Sequence, residues 1–499
     1  MFKKRASGIL LPISSIPTAY GIGDVGPAAH TFVDFLKRAG QTYWQILPLN
    51  YTMAETAYSP YNCFSAFAAN PLLISPEVMY YEGLLRKEEL RQLPDFPSGK
   101  IDYRRVTSWK SKLFDKAFAH SGGLSALEGY DRFAEQNRFW LDDFAAFVAI
   151  KRHFGGRGWN AWPAEIRDRK KRVLVLLTKE LQRQIERECF LQYLCFKQYA
   201  SLRATCKDNA VTIIGDLPIY VAHDSADVWA HPKVFQLEAS GRPKYIAGVP
   251  PDYFSRTGQL WGNPIYDWRY LDRTDYDWWM RRIEHNLALY DLVRIDHFRG
   301  LVAFWQVPAG EKTAVRGQWI QAPTDAFFST LYRRFPVAAI FAEDLGDITA
   351  DVREALSQYN LAGMRVLQFG FDGETTRNPH CPHNHGKNCV VYTGTHDNNT
   401  TRGWFEEDAT PGQKKRLAEY LGRRITAKTV PEEMTRLAMA SVAKVAIIPM
   451  QDVLGLRSEA RMNRPARTRG NWLWRMQKGQ VTAALAKDLK GMVETYGRI

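Results

Sequence analysis

The stretch Leu292-Val-Arg-Ile-Asp-His-Phe298 begins as a short apolar run and ends in charged and polar residues before Gly300. Short apolar runs that end in polar, Gly or Pro residues are typical of buried strands. Seven more such runs occur, at residues 7–13, 43–49, 211–217, 338–344, 362–371, 389–395 and 445–450. Helical patterns lie between several of them. Eight strands alternating with helices predict a parallel (β/α)8 TIM barrel, an α/β fold.

The helical patterns have recognisable beginnings and ends. Residues 27–39 place Phe32, Phe35 and Leu36 on one face, and the pattern ends at Gly40. Pro at the start and Gly after the end are the usual boundaries of a helix. Further helices are predicted at residues 351–359, 413–422 and, as a closing helix, 478–499.

Two stretches are too long to be simple connections. Residues 75–209 are charged and mostly helical by pattern, so we interpret them as an inserted α-helical subdomain. Residues 220–290 are rich in Gly, Pro and Trp, which favours a loop-rich insertion at the active face of the barrel. Residues 1–499 are therefore expected to be one catalytic barrel without a separate C-terminal β domain.

The composition excludes several classes of protein. The chain has 499 residues, of which 45% are apolar and 24% charged, so it can bury a large core and is neither disordered nor collagen-like. No run approaches the roughly 18 apolar residues of a membrane span. The N-terminal apolar stretch stops at Pro12, too early for a signal peptide. We expect a cytoplasmic protein whose six sparse cysteines are reduced.

The net charge of +14 leaves open a nucleic-acid-binding hypothesis. Basic and aromatic residues cluster near the C-terminus, a pattern found in single-strand binders, in sugar-binding sites and in solvated loops. The cluster consists of Arg457, Arg461, Arg464, Arg467, Arg469, Arg475, Trp472 and Trp474. The cluster alone does not decide among these functions.

Two motifs suggest cofactors but lack the required context. Gly21-Ile-Gly23-Asp-Val-Gly26 matches a dinucleotide fingerprint, yet no strand immediately precedes it and no acidic residue ends the next strand. Cys381, His383, His385 and Cys389 could supply zinc ligands, but their spacing is not that of zinc sites. We expect no cofactor and no metal.

Carboxylates stand where four of the predicted strands end. They are Asp216, Asp296, Glu343 and Asp397. One strand-end Asp often caps the following helix, but the C-terminal strand ends of a barrel form its active face. Arg294 lies two residues before Asp296, so a strand would point both to the same face.

Paired carboxylates beside aromatic residues are typical of glycoside chemistry. One carboxylate attacks the anomeric carbon, and the other, protonated, releases the leaving sugar oxygen. A neighbouring arginine keeps the nucleophile ionised, whereas burial and like charge raise the pKa of the acid.

Ordered motifs extend this pattern over almost the whole chain. They are Ser7-Gly-Ile-Leu-Leu-Pro, Tyr20-Gly-Ile-Gly-Asp, Trp44-Gln-Ile-Leu-Pro-Leu, Ser59-Pro-Tyr61, Gly215-Asp-Leu-Pro-Ile-Tyr-Val221, Gly248-Val-Pro-Pro-Asp-Tyr-Phe254, Thr257-Gly-Gln-Leu-Trp-Gly-Asn-Pro264, Arg294-Ile-Asp-His-Phe-Arg-Gly300, Ala342-Glu-Asp-Leu-Gly346, Thr393-Gly-Thr-His-Asp-Asn398 and Arg461-Met-Asn463. With these motifs the sequence resembles the 4-α-glucanotransferases, also called amylomaltases or disproportionating enzymes, of glycoside hydrolase family 77 in the α-amylase clan.

The resemblance implies roles for individual residues. Asp296 would be the nucleophile that forms a covalent glucosyl-enzyme, Glu343 the general acid/base, and Asp397 the carboxylate that holds the 2- and 3-hydroxyls of the distorted sugar. The implied substrate-binding residues are Ser59, Tyr61, Asp216, Arg294, His396, Tyr253, Gln259, Trp261 and Asn463. Among them, Tyr253 and Trp261 would stack on the acceptor.

The implied function is a retaining transfer of α-1,4-glucan segments to the 4-hydroxyl of an acceptor glucan or glucose. The expected substrates are maltooligosaccharides, amylose, starch or glycogen, with neither nucleic acid nor membrane as a partner and with a monomeric chain. An α-amylase-like hydrolase is an alternative. The segment after Asp216 lacks the His usual in α-amylases, which favours the transferase. A glucan- or nucleic-acid-binding protein is the non-enzyme alternative.

The sequence departs from the family pattern at a few positions. Asn399 stands where Asp is usual, and Ala362 where Pro is usual. Ala466 and Arg467 replace the Gly-Thr that usually follows Pro465, so the shape of the acceptor-side loop is expected to differ.

Overall fold

The computed structural model describes residues 2, 4–251, 255–465, 467 and 469–498, and within these it contains twelve strands. The strands are β1 Ala6–Leu10, β2 Tyr43–Gln45, β3 Thr212–Leu217, β4 Tyr245–Val249, β5 Gln259–Pro264, β6 Leu292–Ile295, β7 Ala303–Pro308, β8 Gln318–Gln321, β9 Ile340–Ala342, β10 Gly363–Val366, β11 Cys389–Tyr392 and β12 Val445–Pro449.

Helices connect and surround these strands. They are α1 Pro27–Arg38, α2 Pro76–Tyr81, α3 Lys87–Arg91, α4 Tyr103–His120, α5 Tyr130–Asn137, α6 Leu141–His153, α7 Ala164–Arg167, α8 Lys171–Glu180, α9 Gln182–Asp208, α10 Ala226–Ala230, α11 Trp268–Arg273, α12 Asp277–Leu289, α13 Thr324–Arg334, α14 Ala350–Gln358, α15 Thr401–Gly403, α16 Pro411–Leu421, α17 Val430–Ala440, α18 Met450–Val453 and α19 Ala483–Thr495.

Eight strands form one parallel sheet in the order β10-β11-β12-β1-β2-β3-β6-β9. The amide of Ala342 at the end of β9 donates to the carbonyl of Ala362 before β10 at 2.9 Å, which nearly closes the sheet into a barrel. The predicted TIM-barrel fold is confirmed, and each of the eight predicted apolar runs overlaps one barrel strand. The strands are shorter than the runs because apolar residues such as Ile46 and Leu47 continue into the loops at the active face.

The alternation of side chains along the strands sends polar groups into the barrel. Ile214 and Leu292 belong to one apolar cluster, whereas their neighbours Ile213 and Val293 pack in the larger cluster that includes the helices. Side chains two residues apart on a strand share a face. Asp216 and Arg294, each two residues beyond a member of the first cluster, therefore lie on the same face as that cluster.

A second, antiparallel sheet has the strand order β5-β4-β7-β8. Two of its strands, together with α11 and α12, lie in the segment 220–290, which therefore contains regular elements between its loops. The sequence analysis did not identify this sheet. Glycines such as Gly248 and Gly262 occur in β4 and β5, and glutamines such as Gln306 and Gln318 occur in β7 and β8, so these strands lack a continuous apolar run.

The segment 76–208 is helical, from α2 to α9. Its helices enclose a smaller apolar cluster that includes Trp109, Phe114 and Phe190. The closing helix α19 begins after Thr482, whose hydroxyl caps it, and packs against α1. All six cysteines are buried and unpaired. No helix in the described part of the chain has the length and apolar character to span a membrane.

Candidate active site

Four barrel strands bring predicted site residues to one end of the barrel. Asp216 lies in β3, Arg294 in β6, Asp296 directly after β6, Glu343 directly after β9, and His396 and Asp397 in the loop after β11. In a barrel, this C-terminal rim of the strands is the place where substrates bind.

Arg294 contacts two carboxylates of the site. Its Nη1 donates to both carboxylate oxygens of Asp216, at 2.8 and 2.7 Å, and to Oδ1 of Asp296 at 2.8 Å. The guanidinium is buried, and these carboxylates raise its pKa well above the ordinary value. The register that pairs Asp216 with Arg294 in neighbouring strands makes the first contact possible. The guanidinium thus fixes the position of Asp296 and favours its negative charge.

Tyr61 and His396 form one wall of the site. The Tyr61 hydroxyl donates to Oδ2 of Asp216 at 2.7 Å, and its ring stacks on the imidazole of His396, with ring centroids 5.0 Å apart. Burial lowers the pKa of His396, so its imidazole is neutral at pH 7. A neutral, stacked imidazole beside carboxylates suits hydrogen bonding to sugar hydroxyls.

Asp397 is oriented by the loop that follows β12. Nδ2 of Asn463 donates to Oδ1 of Asp397 at 2.6 Å, and Nε2 of His396 lies 3.4 Å from the same oxygen. Arg461 donates to the backbone carbonyl of Asp397 at 2.7 Å. The side chain of Asp397 remains 43% exposed, so the carboxylate is accessible to a ligand.

Glu343 is held by backbone amides. Its Oε2 accepts the N–H of His297 at 2.7 Å, and its Oε1 accepts the N–H of Leu345 at 2.9 Å. His297 has a φ of 51°, in the left-handed region that is uncommon for residues other than glycine. Strained backbone of this kind clusters at active sites, and here it aims an amide at the predicted acid/base.

Burial raises the pKa of both Asp296 and Glu343, while Arg294 opposes the rise in each case. The negative charge of Glu343 further raises the pKa of Asp296. Two neighbouring buried carboxyls, one of which raises the pKa of the other, resist simultaneous ionisation and titrate as a pair.

A cavity of about 520 Å³ opens over these groups. Besides Asp296, His396 and Asp397, it is lined by the predicted substrate-binding residues Ser59, Tyr61, Gln259, Trp261 and Asn463. The Trp261 ring meets the His297 ring edge to face, with centroids 4.8 Å apart. Tyr253, the other predicted stacking residue, lies outside the described residues. The structure thus gathers the other predicted site residues in and around one cavity.

Trp472 is a site residue whose role the sequence analysis missed. Its ring is buried and packs on both Tyr61 and His396, with centroids 5.6 and 6.1 Å apart, although its φ is 64°. Its amide donates to the Met462 carbonyl at 2.7 Å, and its carbonyl accepts the Tyr103 hydroxyl at 3.0 Å. The only sequence signal was its place in the basic and aromatic cluster.

We expect Trp472→Ala to lower kcat about tenfold or more, because Tyr61 and His396 lose the ring that holds them in place. It should also destabilise the fold by about 3–5 kcal/mol, as for other buried tryptophans. Trp472→Phe should lose less of both. The buried Trp474, for which the structure gives no ring contact to either residue, provides the control. Trp474→Ala should lose stability without the fall in kcat, and equal kcat values for the two alanine variants would contradict this positioning role.

The two cofactor-like motifs have other structural uses. The structure pairs Cys381 Sγ with the Gly370 carbonyl, Cys389 Sγ with that of Gly386, and the rings of His383 and His385 with Tyr420 and Ser441. No group of three or more metal-ligating side chains occurs among the described residues. The glycines of residues 21–26 form a turn that leads into α1.

The barrel and its paired carboxylates define the class of the protein as a glycoside-processing enzyme. A family model described as 4-alpha-glucanotransferase matches residues 11–482. The chain is 43% identical over 494 residues to the 4-alpha-glucanotransferase of Aquifex aeolicus and 44% identical over 507 residues to that of Thermus thermophilus, with 99% of each chain covered in both cases. The chain therefore belongs to the 4-alpha-glucanotransferase family, as the sequence motifs predicted.

Solved structures agree with this assignment. The amylomaltase of Streptococcus agalactiae, in complex with acarbose, superposes with a TM-score of 0.96 at 37% identity, covering 99% of this chain and 100% of that one. The amylomaltase of Corynebacterium glutamicum, at 18% identity, shares the fold with a TM-score of 0.81, covering 99% of this chain and 75% of that one.

Proposed function

We propose that this enzyme transfers α-1,4-glucan segments by a double displacement in which Asp296 is the nucleophile and Glu343 the acid/base. The observation that carries the proposal is the contact between Arg294 and Asp296 at the rim of the barrel, with Glu343 held close by. The acarbose bound by the Streptococcus agalactiae relative supports α-linked glucans as substrates.

In the first step, a carboxylate oxygen of Asp296 attacks the anomeric carbon of the donor glucan. The glycosidic C–O bond breaks, and the leaving oxygen takes the proton of Glu343. Because Arg294 donates a hydrogen bond to Asp296 and so favours its negative charge, we propose that the single proton shared by the pair resides on Glu343. The products are a glycosyl ester on Asp296 and a shortened glucan.

In the second step, the 4-hydroxyl of an acceptor sugar attacks the ester. Glu343, now ionised, takes the hydroxyl proton, and Asp296 leaves as a carboxylate. The anomeric configuration is inverted twice and so retained. Asp397, aligned by Asn463, accepts hydrogen bonds from hydroxyls of the bound sugar in both steps.

The pKa shifts predict the pH dependence of kcat/KM. Catalysis needs one proton on the pair. Because the pKa of Glu343 is raised above its ordinary value of 4.5, this proton stays bound at a higher pH than on an ordinary glutamate. Activity should therefore rise as Asp296 ionises and fall as Glu343 loses its proton, giving a bell whose alkaline limb lies above pH 4.5. A profile that falls steadily from pH 4.5 upward would contradict this assignment.

Transfer competes with hydrolysis because water can also attack the glycosyl ester. Transfer is favoured when an acceptor is bound and oriented and water is displaced. Trp261 lines the cavity, packs against His297, and its indole N–H lies 3.3 Å from Oε1 of Gln259. We propose that this indole is a stacking platform for the acceptor.

Trp261→Ala should therefore weaken acceptor binding and increase the hydrolytic share of turnover several-fold. The test is incubation with maltotriose, in which chromatography measures products and a reducing-end assay measures hydrolysis. The unmodified enzyme should give glucose, maltopentaose and longer chains with little gain in reducing ends. Trp305, in the same antiparallel sheet but not among the residues lining the cavity, supplies the control variant Trp305→Ala.

Two results would count against this account. If Trp261→Ala leaves the ratio of transfer to hydrolysis unchanged, Trp261 is not a stacking platform for the acceptor. If reducing ends from the unmodified enzyme increase in step with loss of maltotriose, the protein is an α-amylase-like hydrolase.

The substrate range and organisation form part of the proposal. Maltooligosaccharides, amylose, starch or glycogen are the proposed substrates of a monomeric, cytoplasmic enzyme. Residues 75–209 and 220–290 are proposed to be insertions into a single barrel. A size measurement in solution tests the monomer.

A further inference from the structure

Two arginines on one loop line the catalytic cavity without a partner of opposite charge. Arg464 and Arg467 line the cavity together with their sequence neighbours Asn463 and Pro465. Among the described residues, neither guanidinium makes an ion pair or a hydrogen bond, whereas those of Arg294 and Arg461 do. The two side chains are therefore available to a ligand in the cavity.

The loop that carries them is fixed by its own contacts. Asn471 accepts the Arg464 N–H at 3.0 Å and donates to the carbonyls of Arg464 and Arg467 at 3.3 and 2.8 Å. The Arg467 amide also donates to the Arg464 carbonyl at 3.1 Å. These contacts tie the backbones of Arg464 and Arg467 to Asn471, and both residues line the same cavity.

A third arginine shows that the charges are close together. Arg461 donates to the backbone carbonyls of Asn463 and Asp397, both at 2.7 Å. Burial lowers its pKa; the negative charges of Asp408 and Asp397 oppose this shift, and the positive charges of Arg464 and Arg467 add to it. Like charges within electrostatic reach of one another create a positive potential at this wall.

Within the described part of the chain, no acidic group of the cavity forms an ion pair with Arg464 or Arg467. Asp296 is paired with Arg294, and Asp397 accepts the Asn463 amide. Glu55 also lines the cavity, and no ion pair joins it to either arginine in the described residues. Two guanidiniums without an ion-pair partner among the described residues are therefore available to an anionic group of a ligand.

We propose that Arg464 and Arg467 form a subsite for a phosphate group carried by a saccharide in the cavity, so that the enzyme favours phosphorylated glucosyl units over neutral ones. The guanidinium fork matches phosphate oxygens in a bidentate manner. Neutral glucans need no such pair of positive charges. The inference rests on the proposed glucan-transfer function and names a class of substrate for it.

Calorimetry on the full-length Asp296→Asn variant, which binds without turnover, tests the subsite. The probes are glucose 6-phosphate against glucose, and a maltooligosaccharide phosphorylated at C6 against the neutral oligosaccharide of equal length. We expect about tenfold tighter binding of a phosphorylated probe, since charge-assisted hydrogen bonds are stronger than neutral ones. The preference should shrink as salt rises to about 1 M, where the Debye length is about 3 Å.

Charge-removing variants assign the preference to the loop. Arg464→Gln and Arg467→Gln, each in the Asp296→Asn background, should lower the ratio of phosphorylated to neutral affinity several-fold, and together they should abolish it. Arg469→Gln is the matched control, because Arg469 lies on the same loop but lines a different cavity. It should leave the ratio unchanged.

The outcomes separate the possibilities. A preference confined to glucose 6-phosphate identifies a free sugar phosphate, and one confined to the oligosaccharide identifies a phosphorylated glucan; both support the subsite. Equal affinities for the phosphorylated and neutral probes would overturn it, as would a preference that survives the double variant. A loss shared equally by both probes would also overturn it, because the arginines would then bind sugar hydroxyls. Failure of the unmodified enzyme to convert neutral maltotriose refutes the transferase but leaves this binding ratio intact.

Discussion

Asp296→Asn should reduce transfer from maltotriose by roughly 10⁴-fold or more, because an amide cannot attack the anomeric carbon. The amide is nearly the same size and can still accept a hydrogen bond from Arg294, which also keeps both contacts to Asp216. The fold should therefore persist. Initial rates with maltotriose, together with the melting temperature of each protein, are the measurements.

Asp291, at the other end of the same strand, provides the control for this variant. It pairs with Arg203 and accepts the Ile213 amide, away from the rim that carries Asp296. Asp291→Asn should keep its rate of transfer even where it loses some stability. Turnover near that of the unmodified enzyme in Asp296→Asn would show that another residue is the nucleophile.

Glu343→Gln should lower transfer from maltotriose by about 10²–10⁴-fold, because the leaving sugar oxygen no longer receives a proton. The defect depends on the leaving group. Fluoride departs without protonation, so α-maltosyl fluoride should restore the first step in this variant, measured as release of fluoride. The same donor should fail to restore Asp296→Asn.

This comparison distinguishes an acid from a merely structural carboxylate. If Glu343→Gln is as slow with α-maltosyl fluoride as with maltotriose, the loss does not come from proton donation. The amides of His297 and Leu345 would then bind a residue that only supports the loop.

The barrel and the carboxylates at its rim could be predicted because both depend on local patterns. Buried parallel strands appear as short apolar runs, and polar residues near the C-terminal end of such a run are expected at the rim. The spacing of Arg294 and Asp296 also places both on one face, as the contact between them confirms. The antiparallel sheet of β4, β5, β7 and β8 could not be predicted in the same way, since glycines in β4 and β5 and glutamines in β7 and β8 interrupt the apolar pattern.

Contacts between distant segments were beyond local patterns. Asn463 reaches Asp397 across 66 positions of sequence, and Tyr61 reaches Asp216 across 155. Each depends on how loops from different strands meet over the rim. The left-handed backbone of Trp472 is equally invisible in the sequence, because surrounding contacts, and not residue type, hold it there.

The central claim is that Asp296 carries the glycosyl unit between donor and acceptor. Glu343→Gln incubated with α-maltosyl fluoride should accumulate this ester, because the general base for the second step is missing. Mass spectrometry of the protein and of its peptides measures the adduct. The account predicts a gain of one maltosyl unit on the peptide that contains Asp296. Release of fluoride with no adduct, or an adduct on another residue, would contradict it.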